Sequence, residues 1–157
     1  MIPRVSRHSV VATHVDGQVF EISVRGHTVR TDQPVAGGGT DTAPTPLEMM
    51  SVALAGCVAL YAQRYCTGHG LDARGLAVEV NPVWKPEPGS IGRFDVLLHL
   101  PVTIPQGHRD AIGHVALTCP VHHTLAHSPE ITVKVMPAST SSLEETRPRP
   151  AELSVTR

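Results

Sequence analysis

Aromatic residues are scarce in this chain: one Trp, two Tyr and two Phe among 157 residues. So few rings cannot build a stacking platform for single-stranded bases. Charge of one sign is missing too. Thirteen Lys and Arg face fourteen Asp and Glu, a net charge of −1 with the ten histidines neutral. The basic residues are scattered, which leaves no footprint for nucleic acid or an anionic membrane, and neither is expected as a partner. Cysteine is limited to three residues, an odd number and too few for a disulfide framework. The N-terminal stretch MIPRVSRHSVVATHVDG lacks an apolar core followed by a small-residue cleavage site. The expected compartment is therefore the cytoplasm, where cysteines are more often free, catalytic or metal-bound than paired structurally. No internal repeat is evident, and the length suits one domain, expected over residues 1–136.

What is present falls into an ordered series. RHSVVATHV and QVFEISV alternate like strands and flank Asp16-Gly17, a dipeptide that favours a hairpin. HTVR predicts a third strand. The loop TDQPVAGGGTDTAPT follows, and its three glycines precede no Lys-Ser/Thr pair, so a phosphate loop is not indicated. A flexible entry to the next helix is expected instead. That helix is well specified: Thr45 can cap it, Pro46 suits its first position, and Glu48 completes a capping box. The run PLEMMSVALAGCVALYAQRYCT continues to the stop at Gly68 and Gly70. About 22 residues at about 1.5 Å each make a rod of about 33 Å. Glu48, Ser51, Gln63 and Arg64 interrupt its apolar stretch, which argues for a buried central helix over a membrane span. Two strands, LAVEVNPVW and RFDVLLHLP, then a helix over 106–117, a short helix after TCP and a last strand EITVKVM complete an α+β layout. The Pro-, Ser- and Thr-rich segment 137–157 predicts a disordered tail.

Two cysteines stand in informative contexts. Cys57 lies mid-helix on an apolar stretch, where the bland role is a small core residue. Gly56 before it removes a side chain, leaving room for something to approach. Cys119 precedes Pro120, which places it at the cap of the helix PVHHTLAH. A sulfur there meets unpaired amides and the positive end of the helix dipole, which favours a thiolate. Protonation of His122 or His123 would act in the same direction. Cys66, nine residues after Cys57, lies on the opposite face about 13.5 Å along the helix and is expected to be a bystander.

GGGTDTAPTPLEMMSVALAGC, followed some sixty residues later by TCPVHHTL, resembles the OsmC-like family, the osmotically inducible and organic hydroperoxide resistance proteins. The resemblance covers residues 10 to 136. It implies an OsmC-like fold with antiparallel sheets around a long helix, in a homodimer whose strands and helices interleave. It further implies a cysteine-based peroxidase needing no cofactor. Cys57 would be the peroxidatic thiol, Cys119 the resolving thiol, and an external dithiol the reductant. Met49, Met50, Leu54 and Leu60 would line an apolar pocket for organic peroxides. The organic-hydroperoxide branch has a carboxylate directly after the helix-start proline, where this chain has Leu47. Glu48, one residue on, is turned by about 100° and serves better as a cap than in an activating relay. The chain thus resembles the Pro-x-Glu branch more closely. Arg25 and Arg30 fall in the region that supplies the family's activating arginine, though neither matches its local motif.

Two other readings use the same residues. The thiols could act as a redox sensor or sulfur handler without rapid turnover. Alternatively, Cys119, His122, His123 and His127 could contribute to a zinc site. His123 and His127 share a helix face, but adjacent histidines diverge by about 100° and no second ligand cluster completes the set.

Overall fold

The computed structural model describes residues 9–86 and 89–137. The described residues fall into two compact units: 9–46 with 133–137, and 47–86 with 89–132.

The first unit is an antiparallel meander of β1 (Val11–Asp16), β2 (Val19–Val24) and β3 (His27–Thr31). Its first turn falls on Gly17 and Gln18, one residue beyond the expected dipeptide, because Asp16 extends β1 and pairs with Val19 after a register shift. Gly17 takes the positive φ of 49° there. The second turn is Arg25-Gly26, both at positive φ (51° and 79°). This is the left-handed pairing that joins twisted strands compactly. Among the described residues of this unit only Thr31 and Asp32 are buried, and Phe20 and Val29 remain exposed. The sheet therefore has no apolar core of its own.

The loop after β3 is not the flexible entry expected from its glycines. It winds around the Asp32 carboxylate, with Val35–Gly37 forming one 3₁₀ turn. Asp32 accepts from the backbone amides of Gln33, Thr40 and Thr42 and from the hydroxyls of Thr40 and Thr42, at 2.6–3.1 Å. These donors, the Thr40 hydroxyl foremost, hold its pKa far below the usual carboxylate range. Gly38 (φ 86°) ends the turn. Gly39 is required sterically, since a Cβ there would lie 2.0 Å from the Gln33 carbonyl oxygen.

The second unit is built on α1 (Pro46–Gly68), which starts at the expected proline with Glu48 in its first turn. Its length and hydropathy alone would satisfy a membrane-span criterion. In this fold, Leu54, Val58, Ala62 and Cys66, four residues apart, form a buried stripe along it. The upper half of that stripe packs against Val78, Val80, Phe94, Val96 and Leu98 of the hairpin β4 (Ala77–Trp84) and β5 (Ile91–His99). Pairing of Val78 with Leu98, Val80 with Val96 and Pro82 with Phe94 puts these alternate residues on one face. The lower half meets Ile104 and Ile112, the latter on α2 (Gln106–Ala116). Each such side chain, fully buried, stabilises by about 1.5–3 kcal/mol. Across the helix Val52 (54% exposed) and Leu60 (44%) face outward beside Ala53 and Gly56. The long helix is thus apolar on both sides and covered on one.

The short helix α3 spans Pro120–Ala126. The expected last strand does not form. Residues 129–137 make no ladder, and Ile131, Val133 and Val135 are 82–94% exposed. Alternation supplies a face for pairing, but a strand exists only where another edge meets it. The tail expected over 137–157 lies, beyond Pro137, outside the described residues.

Candidate active site

Two helices bring the two cysteines together. Cys57 projects from the middle of α1 and is half-buried, whereas Cys119 at the head of α3 is fully buried. Both sit in one apolar cluster with Leu54, Val58 and Ala116, close enough that Cys57 influences the ionisation of Cys119. Both are reduced.

Cys119 caps α3, as Pro120 predicts: its Sγ accepts from the backbone N–H of His122 at 3.3 Å. The expectation of a lowered pKa is overturned. Burial, the largest influence, pushes the Cys119 thiol up, and the hydrogen bond and charge shared with Cys57 push the same way. The His122 and Val121 amides oppose them and lose. A cap at a seven-residue helix turns the His122 and Val121 amides toward the sulfur, while the apolar cluster removes its water. At Cys119 dehydration therefore outweighs the helix cap.

The histidine rings do something else. His122 Nδ1 donates to the Leu117 carbonyl, so it is the main chain of His122 that reaches the sulfur. His123 lies against His127, with ring centroids 4.5 Å apart. Among the described residues no group of three or more His, Cys, Asp or Glu side chains converges, so Cys119, His122, His123 and His127 do not assemble as a ligand set. Cys66 is fully buried with Ala62, Ile104 and Ile112, and burial raises its pKa. A Cβ on Gly56 would meet nothing within 4 Å, so the space beside Cys57 is open in this chain.

The other expected residues are dispersed. Leu54 lines a half-open cavity of about 370 Å³ between α1, β5 and α2. Met50 lines a separate one beside Ile91, Phe94 and Leu125. Met49 and Leu60 line neither. In the first unit, Arg25 occupies the β2–β3 turn. Arg30, well exposed, pairs across the sheet with the half-exposed Glu21 at 3.3 Å. The residue missed in the sequence is Asp32, whose signal was an acid followed by threonines at 40 and 42.

The family model for OsmC-like proteins matches residues 38–134, more than half of the chain and including both cysteines. The chain belongs to the OsmC-like family.

Solved structures with the OsmC-like fold agree with the architecture. A protein described as an osmotic stress induced and detoxification response protein, from Psychrobacter arcticus, superposes with a TM-score of 0.69 at 18% identity. That match covers 78% of this chain and 91% of the other. An OsmC-like protein from Mycoplasma pneumoniae gives 0.67 at 15% identity, covering 78% and 89%. An organic hydroperoxide resistance protein from Elizabethkingia anophelis, with thiocyanate bound, gives 0.60 at 15% identity, covering 81% and 93%. No curated protein matches in sequence.

Proposed function

We propose that this OsmC-like protein is a thiol peroxidase that reduces organic hydroperoxides, and hydrogen peroxide less well. The observation that carries the reading is the sharing of one apolar cluster by two free thiols, one half-buried and one fully buried. The Cys57 thiolate attacks the distal oxygen of ROOH. The O–O bond breaks, Cys57 becomes a sulfenic acid, and the alkoxide leaves as alcohol after taking up a proton. Cys119 then attacks the sulfenic sulfur as its thiol proton passes to the departing hydroxyl. Water leaves, and a Cys57–Cys119 disulfide closes. An external dithiol returns both cysteines to thiols and is itself oxidised to a disulfide. No cofactor enters the cycle. Kinship with organic hydroperoxide resistance proteins supports the substrate class.

The active form in this proposal is a cytoplasmic homodimer. Three features support an assembly: the sheet unit without an apolar core, the uncovered face of α1 around Val52 and Leu60, and the unpaired segment Ile131–Met136.

Peroxide consumption with dithiothreitol tests the reading. Cumene hydroperoxide should turn over faster than hydrogen peroxide. Cys57→Ser should abolish turnover, and Cys119→Ser, given peroxide without dithiol, should consume one equivalent and stop at a sulfenic acid that dimedone traps. Undiminished turnover by Cys57→Ser would remove the nucleophile assignment. One equivalent consumed by the parent protein with every dithiol tried would leave a redox sensor instead.

A further inference from the structure

The cavity of about 370 Å³ between α1, β5 and α2 is not absorbed by the thiol chemistry. Its walls are apolar: Leu54 and Val58 from α1, Val96 and Leu98 from β5, and Ala116 from α2. The size lies at the low end for small-molecule sites, which run from about 300 to 1,000 Å³. Its polar groups cluster on Arg109, Asp110, His114 and His122.

Those groups are not equivalent. Arg109 is half-buried, whereas Asp110 is exposed to water, so the less solvated charge at the cavity is positive. The Arg109 Nε donates to the Ile104 carbonyl at 3.2 Å, fixing the guanidinium while leaving its two terminal NH₂ groups. Among the described residues no carboxylate pairs with it. The rings of His114 and His122 are likewise fixed, each donating Nδ1–H to a backbone carbonyl, of Asp110 and Leu117 respectively. A planar cation with two parallel donors, set on an apolar pocket and paired with no carboxylate among the described residues, matches a carboxylate bidentately.

We propose that this cavity binds a small amphiphile with a carboxylate head and an unbranched apolar tail. Arg109 takes the head, and Leu54, Val58, Val96 and Leu98 take the tail. An occupant touches the same Leu54, Val58 and Ala116 that enclose the cysteines. Its binding requires no peroxide chemistry, so the proposal is independent of the peroxidase reading.

Isothermal titration of the reduced protein with octanoate and octanol is the test. Octanoate should saturate one site per chain and bind about tenfold more tightly than octanol, because a charge-assisted pair is lost with the alcohol. Arg109→Gln should bring octanoate to the level of octanol and leave octanol unchanged. Gly113 lines the cavity, and a Cβ there meets nothing within 4 Å. Gly113→Leu should therefore fill the space, abolish binding of both, and raise the melting temperature, since Leu suits a helix better than Gly. Equal affinities for octanoate and octanol, no saturable octanoate binding, or full binding by Gly113→Leu would each overturn the proposal.

Discussion

Gly39→Ala offers a severe test of the loop. The new Cβ would lie 2.0 Å from the Gln33 carbonyl oxygen, 2.6 Å from its carbon and 2.7 Å from Asp32 Oδ1. Real Cβ atoms keep at least 3.0 Å from such neighbours, so the carbonyl would have to withdraw by about 1 Å. It cannot do so freely. Gln33 O accepts from the Asp41 amide at 3.0 Å, and Gln33 N donates to Asp32 at 2.7 Å. Overpacking of this kind costs about 1–3 kcal/mol, and a broken backbone hydrogen bond adds about 1 kcal/mol. The expected loss is about 3 kcal/mol, a fall of about 10 °C in melting temperature for a domain of this size. Gly38→Ala is the internal control. Its Cβ meets the movable Gln18 side chain at 2.8 Å, whose exposed hydrogen bond to the Gly37 carbonyl gives way, so the cost is chiefly the strain of φ 86°, about 1–2 kcal/mol. Differential scanning calorimetry of both variants decides the matter. A Gly39→Ala protein melting within 2 °C of the parent, or no lower than Gly38→Ala, would refute the account of a loop closed on Asp32.

The remaining predictions concern charge, thiols and surface. Asp32→Asn should unfold at lower urea than the parent at pH 7. In the parent, the Asp32 contribution is full above the ordinary carboxylate pKa of about 3.9 and is lost as pH falls below it toward the depressed folded value. At pH 3 the gap between the two proteins should therefore begin to narrow. Burial raises the pKa of Cys66 and Cys119. The stability this represents is full below the unfolded thiol pKa of about 8.5 and is lost as pH rises through the folded values. Melting temperature should fall between pH 8 and 10, less steeply in Cys66→Ala. Val52→Glu places a charge on the uncovered face of α1 and should convert a dimer to monomer in light scattering, whereas a chain already monomeric would not change mass.

Much of this arrangement is legible in the sequence because its signals are local. Thr45, Pro46 and Glu48 announce the start of α1, and Pro120 announces the cap at Cys119, since each acts on amides a few residues away. The turn at Arg25-Gly26 carried a weaker signal, as arginine is uncommon at positive φ. Ile131, Val133 and Val135 show how periodicity misleads: the pattern describes a face, while pairing depends on an edge elsewhere. The pKa of Cys119 was misjudged for a related reason. The cap is visible in three residues, but the dehydration that outweighs it comes from Leu54, Val58 and Ala116, which only the folded chain brings near.

The Asp32 amide also donates to the Pro44 carbonyl at 3.3 Å, so the two ends of the glycine loop meet. Residues 33–43 form a closed Ω-shaped excursion whose neck is tied by main chain and whose interior is a single carboxylate. The entropic cost of enlarging a loop grows only with the logarithm of its length once its ends are held. Extra residues inserted at the exposed Val35–Ala36 turn should therefore be tolerated as a graft site, while the neck and Gly39 admit none. A stretch that looked like slack is, to a protein engineer, a port with a fixed rim.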